Sequence, residues 1–319
     1  MGENIPKNHH FVPQFILRNF TYESNNIYLY KLDSKELSSS KIMYKYSKPN
    51  LYKSLNENDI MYIERKFSEL ENKASKIISN IIHEKQRIFL NKTDLYLLKK
   101  FFFLLDFRSE KRRNQYKNAN FDYLTKVSLG GFVSGENYLD LWIRELKYLL
   151  DNDVNEITTN KNLSTIIAMD FNFFFKDTFM VIWNSCQSED FILTDNYGTF
   201  EFSKIFLPEP TIRLFPISPK ILVGFVSVFF NLPKSKDLLN TSFDRDLFKP
   251  PTTSNNSFKF EIIRVNDKNV IYTNILLLNE VVKYFSFFDY TNIFHSIKAY
   301  QEFSGKTKHD YSKLLTWYD

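Results

Sequence analysis

Seven residues spread along the chain carry side chains suited to polar chemistry: His9, His10, Glu71 and Asp195 as acid–base or catalytic groups, and Arg18, Arg108 and Asn196 as substrate-holding groups. Two of only five histidines stand side by side at His9 and His10. An imidazole titrates near neutrality and can give or take a proton there. Adjacent residues of an extended strand point to opposite sides. The pair therefore predicts one imidazole reaching a site and the other held by a backbone or carboxylate bond. A plain anchor for the N-terminal segment explains the pair as well.

Arg108 raises a different question. Leu97, Phe101, Leu104 and Leu105 form an apolar helical stripe, and Arg108 continues it. An arginine on a core-facing stripe needs an acceptor: a carboxylate, carbonyl groups or a ligand phosphate. A structural ion pair satisfies it as fully as a substrate does. Arg112, Arg113 and Lys117 beyond it read as a solvated basic cluster favoured by a helix C-terminus. Glu71 lies at the edge of the stripe made by Phe67, Ala74 and Ile78, where it faces Arg108, a histidine or solvent. Asp195 and Asn196 end the apolar run "FILTD" and serve there as ligand groups or as turn formers. "FPISPK", residues 215–220, reads as a rigid proline-framed turn.

These residues must be positioned by elements of two kinds. "NNIYLYK" predicts a strand, "DSKE" a turn, and "KIMYKYS" from Lys41 the returning strand. Apolar residues at Ile63, Phe67, Leu70, Ala74, Ile77 and Ile81 keep helical spacing over five turns. A second helix is expected from Thr93 through residue 118, a third starting near Ser134 and covering 137–152, and a fourth over 162–174. "TFMVIWN", "FILTD", "TIRLFPI", "ILVGFVSVF" and "FKFEIIR" then read as strands. Residues 233–257 read as a loop, and a helix near 269–284, a short "FSFF" strand and a helical tail follow. Strands, then helices, then strands give an α+β class: an antiparallel or mixed sheet from the N- and C-terminal segments, with central helices over about 60–175 layered on one face. The expected organisation is a single domain over 1–289 and a helical tail over 290–319.

The bulk numbers exclude several classes. Seven glycines among 319 residues, with no Gly-rich loop, speak against dinucleotide and P-loop folds. One cysteine, Cys186, cannot form an internal disulfide, which fits a reducing compartment. The start has no apolar signal-peptide core, and the longest apolar run, "ILVGFVSVFF", is about half of a membrane span. The expected location is the cytoplasm, with no membrane contact. The 33 Phe and 19 Tyr read as core packing. A net charge of +5 is compatible with a nucleic-acid partner without requiring one.

The run His9-His10-Phe11-Val12-Pro13, followed by Leu17-Arg18-Asn19-Phe20, resembles the opening signature of the family known as domain of unknown function 4238: His-His-x-x-Pro, then Leu-Arg-x-Phe. Further family features match in order: a helical Glu at Glu71, a helix-ending Arg at Arg108, a strand end at Thr194-Asp195-Asn196, the turn Pro216-Ile217-Ser218-Pro219, and an Asn-bearing helix and aromatic strand from Asn274 to Phe288. The resemblance covers about residues 7–289, and Tyr197 stands where the family usually has Pro. It brings no assigned chemistry. It implies that His9, His10, Arg18, Glu71, Arg108 and Asp195 share one place in the fold.

Two functions follow as expectations. One is a phosphodiester-cleaving, nuclease-like enzyme of the kind that suits bacterial defence or a toxin effector. There a histidine moves the proton, Arg18 or Arg108 holds a phosphate, and Glu71 and Asp195 orient the histidine or bind a divalent metal, Mg or Mn. No known nuclease motif supports it. The other is a sensor or binding protein in which the same residues form a structural or anion-binding network. One open cleft shared by these residues favours the first; a sealed, mutually satisfied cluster favours the second.

Overall fold

The computed structural model describes residues 8–49, 51–52, 57–121, 126–127, 129, 135, 137–159, 163–201, 211–228, 245–254, 256–281 and 283–303. In chain order the elements are β1 (Asn8–His10), α1 (Gln14–Arg18), β2 (Asn26–Lys31), β3 (Glu36–Lys41), β4 (Ser47–Pro49), α2 (Glu57–His83), β5 (Arg87–Asn91), α3 (Lys92–Phe107) and α4 (Glu110–Lys117). Then come α5 (Tyr138–Asp151), α6 (Val154–Thr159), α7 (Thr165–Lys176), β6 (Thr178–Ser185), β7 (Leu193–Thr194), β8 (Gly198–Glu201), β9 (Thr211–Pro216) and β10 (Ile221–Ser227). β11 (Thr252–Ser254), β12 (Ser257–Val265), α8 (Asp267–Asn279), β13 (Tyr284–Phe287) and α9 (Phe294–Phe303) complete the described chain.

The architecture is α+β. A seven-stranded sheet runs β11-β12-β6-β10-β9-β8, with β5 joined to β12. It is mixed: β12 pairs β6 in parallel and both β11 and β5 antiparallel. A second sheet runs β3-β2-β13-β7, and β1 pairs β4 alone. Side-chain alternation sorts the large sheet's residues into two cores. Met180, Ile182, Ile221, Val223 and Phe225 face the layer of α2, α3, α5 and α7. Phe179, Val181, Trp183, Leu222 and Val226 face the residues of α8 and α9. The expected one-sided cover is therefore corrected to cover on both faces. β10 is buried at every position, so a bare face would put apolar side chains in water.

Gly224 is the close-approach point of this sheet. A Cβ there would meet Val181 Cγ2 at 2.9 Å. Gly224→Ala is expected to lower stability by about 1–3 kcal/mol through overpacking. Urea melts should show a lower midpoint at an unchanged slope.

Several element boundaries differ from the sequence expectation, each for a local reason. The strand returning after β2 is Glu36–Lys41, because the turn closes at Lys35, whose φ is 55°. Residues 42–44 form a 3-10 turn instead of a strand. The helix expected from Thr93 starts at Lys92, because Asn91 caps it by accepting the Asp94 N–H at 2.8 Å. It does not continue to 118. Ser109 has ψ 153°, which breaks the helix, and its Oγ accepts the Arg112 N–H to start α4. Strand β5 was not anticipated. Most of the expected 233–257 loop lies outside the described residues, but Arg245–Leu247 forms a 3-10 turn and β11 a hairpin arm. Within the expected tail, α9 is helical and Ile293, Ile297 and Ala299 are buried; residues 304–319 lie outside the described residues.

The two lysines Lys99 and Lys100 pin the helical layer. The Lys99 ammonium donates to the carbonyls of Phe175 at 2.8 Å, in the last turn of α7, and Thr178 at 2.7 Å, just past it. Lys100 donates to Leu150 and Asn152 at 3.1 and 2.6 Å, at the end of α5. Adjacent residues of α3 thus satisfy the last carbonyls of two other helices. Arg112 and Arg113 are corrected as well, since neither is a solvated cation. Arg112 reaches Asp106 at 3.4 Å and Asp170 at 3.6 Å in a cluster completed by Arg213. Arg113 is 6% exposed and donates through Nε to the Leu51 carbonyl at 2.8 Å. The Ser109 cap turns α4 back over the protein, so Arg112 meets two acids and Arg113 a carbonyl, while Lys117 stays exposed as expected.

Candidate functional site

β1 sends its two histidines to opposite sides. His9 is 2% exposed, with Nδ1 3.1 Å from Glu64 Oε1 and its ring 5.2 Å from that of Tyr52. His10, half-buried, faces an open cleft of about 670 Å³. One wall of the cleft is α1, which contributes Gln14, Phe15 and Arg18; the opposite wall is α2. On α2, Glu64, Ser68, Glu71, Asn72 and Ser75 recur at helical spacing and make a polar stripe beside Phe67. Arg108, the C-cap residue of α3, closes the floor.

Arg108 is 2% exposed. Its Nη2 donates to Glu71 Oε1 at 2.6 Å, and its guanidinium lies over the Phe67 ring at 4.1 Å. Glu71 and Phe67 sit one helical turn apart on α2, so a single face of that helix supplies both the carboxylate and the ring. The helix break at Ser109 leaves Arg108 as the last residue held by α3, through its N–H to the Leu104 carbonyl at 3.0 Å.

His10 is held by a short chain of amide contacts. Arg18 Nη2 donates to Gln14 Oε1 at 3.5 Å, and Gln14 Nε2 lies 3.2 Å from His10 Nε2. An amide nitrogen only donates, so His10 Nε2 is the acceptor and the proton of the neutral ring sits on Nδ1. Burial first, and then the Arg108 guanidinium, hold the imidazole below its ordinary value of 6.5; Glu64 and the Lys45 backbone pull the other way. His10 is consequently neutral at pH 7, with Nε2 turned toward Gln14. A nucleophile that delivers a proton to Nε2 has to replace the Gln14 amide there.

Arg108 Nε at the floor is buried without a hydrogen-bond partner, and so are Tyr52 Oη and Tyr197 Oη, which do not line the cleft. Burial pushes both phenols up, and each feels Arg108 and Glu71. Buried polar groups are nearly always paired. Of these groups only the Arg108 guanidinium lines the cleft, and its Nε leaves hydrogen-bonding capacity for a bound molecule.

The expected site residues divide into two groups. His10, Arg18, Glu71 and Arg108 line the cleft. His9 lies behind it, tied to Glu64. Asp195 is 3% exposed, and its Oδ2 accepts the N–H groups of Lys283 at 2.7 Å and Tyr284 at 3.3 Å, fixing the start of β13. Asn196 is 1% exposed, its side-chain amide has no partner, and it does not line the cleft. The sharing of one place implied by the motifs is thus corrected for Asp195: a strand end that can turn inward was used to hold backbone. Tyr197, the departure from the family pattern, packs its ring 5.2 Å from Phe215. The motif Leu17-Arg18-Asn19-Phe20 also meets the proline turn, through Asn19 Nδ2 donating to the Ile217 carbonyl at 2.8 Å.

Sequence reasoning missed Gln14, Glu64, Tyr52 and Tyr197. Gln14 and Glu64 left a readable signal. Gln14 stands one helical turn before Arg18, and Glu64 two turns before Glu71 on the same face. The tyrosines, in a chain holding 19, left none. Among the described residues no group of three or more His, Cys, Asp or Glu side chains is placed to hold a metal ion, and no helix is long and apolar enough to cross a membrane.

A family model described as "protein of unknown function (DUF4238)" matches residues 8–280. No curated protein and no solved structure matches the chain.

Proposed function

We propose that this chain, which belongs to the DUF4238 family of unknown function, is a phosphodiester-cleaving enzyme of nuclease type. The observation that carries the reading is one open cleft lined by a neutral histidine, an exposed arginine and a clamped arginine–glutamate pair. Arg18 is exposed at the mouth and can take two phosphate oxygens with its planar fork. His10 accepts the proton of the attacking hydroxyl at Nε2 as the new O–P bond forms. The bond to the leaving oxygen breaks, and that oxygen takes a proton from solvent. The Arg108–Glu71 pair holds the floor, and the Arg108 guanidinium adds to the burial that keeps His10 neutral.

A second groove supports a polymeric substrate. Lys85, Arg87, Lys259 and Arg264, with Glu261, line a groove of about 330 Å³ beyond the C-terminal end of α2. α2 rises about 1.5 Å per residue, so its end at His83 lies roughly 12 Å from Ser75, the last of its residues in the cleft. A chain of phosphates fits that spacing better than a single one.

The test is cleavage of labelled RNA and DNA, with and without Mg²⁺ or Mn²⁺. The double reversal Lys259→Glu/Arg264→Glu is expected to raise KM about 10-fold for long substrates, through lost phosphate contacts, and to leave a short substrate unaffected. Absence of cleavage of RNA, DNA and bis-(p-nitrophenyl) phosphate in all conditions would sink the reading. One observation favours binding without turnover: Arg108 and His9 already have carboxylate partners. On that reading, phosphate compounds bind the cleft and none is consumed.

A further inference from the structure

The small sheet carries a second pocket, unrelated in chemistry to the cleft. It has a volume of about 580 Å³ and is lined by Tyr22, Tyr28, Phe288 and Tyr290 together with Glu23 and Asp289, among others. Its walls are built from three places in the chain. The turn at Ser24 and Asn25, with φ of 48° and 62°, folds Tyr22 back toward β2, where its N–H bonds the Asn26 carbonyl at 3.1 Å. The Tyr22 and Tyr28 rings then stack at 3.9 Å and 9°. Phe287, at the end of β13, continues the stack at 5.6 Å from Tyr28, and Tyr290 meets it edge-on at 6.0 Å.

This is not a closed core. Phe288 is 43% exposed and Tyr290 38%. Large apolar side chains gathered in the open usually mark a recognition surface. The charge of the pocket selects among ligands. Among the described residues its lining holds two carboxylates and no cation. Burial, then Tyr22, Glu23 and Asp289 in turn, push the Tyr28 phenol up, which places both carboxylates close to the same ring. Asp289 is held in position by Thr291, whose N–H and Oγ donate to its Oδ1 at 2.9 and 2.8 Å.

A nucleotide would stack on these rings but bring its phosphate against two negative charges. A neutral sugar would use the rings and leave the carboxylates without an ionic partner. A cation uses both: the ring faces left free outside the middle of the stack, on Tyr22, Phe288 and Tyr290, attract it, and carboxylates at the rim complete its neutralisation.

We propose that the pocket formed by Tyr22, Tyr28, Tyr290, Glu23 and Asp289 binds a small alkylated ammonium compound of the choline type. The site is independent of the cleft, so neither stands or falls with the other.

The experiment is titration of the full chain with choline and with its uncharged isostere 3,3-dimethylbutan-1-ol, followed by calorimetry and by the NMR shifts of the tyrosine rings. Choline should bind saturably, and the isostere at least about 10-fold more weakly. Glu23→Gln/Asp289→Asn, which keeps shape and removes charge, should weaken choline about 10-fold and leave the isostere unchanged. Tyr28→Leu should abolish both, and its thermal unfolding is measured alongside to exclude collapse of β2. Equal binding of the isostere would overturn the proposal and mark a merely apolar pocket. Binding of glucose in place of choline would overturn it in favour of a saccharide. Tighter binding of N-acetyl-trimethyllysine amide than of choline would overturn the small-molecule assignment and point to a modified peptide. No binding of any probe would overturn it outright.

Discussion

His10→Gln is expected to lose about 10²- to 10⁴-fold in cleavage rate, the usual worth of a positioned general base, while unfolding close to wild type. The substitution removes the acceptor at Nε2 but fills much of the same half-buried space. The pH profile gives a sharper readout than the rate. Because burial and Arg108 lower the His10 value, the neutral, base-competent form should persist below pH 6.5, and kcat/KM should fall only under that point. The variant's residual activity should lack that limb. Stability follows the same sign. The unfolded chain takes up this proton at about 6.5 and the folded chain only at lower pH, so the contribution is present above 6.5 and is lost as pH falls through the folded value. His9→Gln makes the informative control. It breaks the bond to Glu64 behind the cleft, so a folded His9→Gln protein that is as inactive as His10→Gln would contradict the division of labour between the two imidazoles.

Glu71→Gln should be the most destabilising of the cleft substitutions. It leaves the Arg108 guanidinium, 2% exposed, without the carboxylate that holds it at 2.6 Å. Breaking such a pair from one side costs about 3–5 kcal/mol. The double substitution Glu71→Leu/Arg108→Met, similar in volume and uncharged, should recover most of that loss, since an apolar pair needs no compensation. It should not recover cleavage. Without Arg108, His10 loses one of the influences that keep it neutral, and its value should move back toward 6.5. Chemical denaturation and an NMR titration of His10 in the three proteins would read both effects. A double variant that is as unstable as Glu71→Gln would mean that the loss comes from packing around Phe67 rather than from the uncompensated charge.

Much of the fold could be read from the chain because its signals are periodic. The α2 stripe, the apolar runs of β6, β9, β10 and β12, and the order of strand and helix segments all follow from side-chain spacing. What escaped were features decided by one or two residues. Ser109 ends a helix whose apolar pattern continues past it, and Asn91 caps one where Thr93 offers an equal capping group. β5 is short and reads as a linker until β12, far away in sequence, pairs with it.

The site was legible to the same extent. Opposite-pointing histidines follow from strand geometry alone, and an arginine on an apolar stripe demanded an acid. Glu71 was a candidate for that acid, but whether it met Arg108, a histidine or solvent could not be read, because a helix edge allows all three. Asp195 shows the limit of motif reasoning. A carboxylate at a strand end looks the same in sequence whether it meets a ligand or two backbone N–H groups.

β12 has a consequence for how the molecule comes together in time. Every residue of the cleft, from His10 to Arg108, leaves the ribosome long before β12 does. Yet the antiparallel pairing that seats β5, and with it the junction between α2 and α3, is supplied by β12, which must also run parallel to β6. Parallel and sequence-distant pairings form slowly. The nascent chain therefore carries a finished set of site residues on an unfinished support, with the edges of β5 and β6 open until nearly the whole domain has been made.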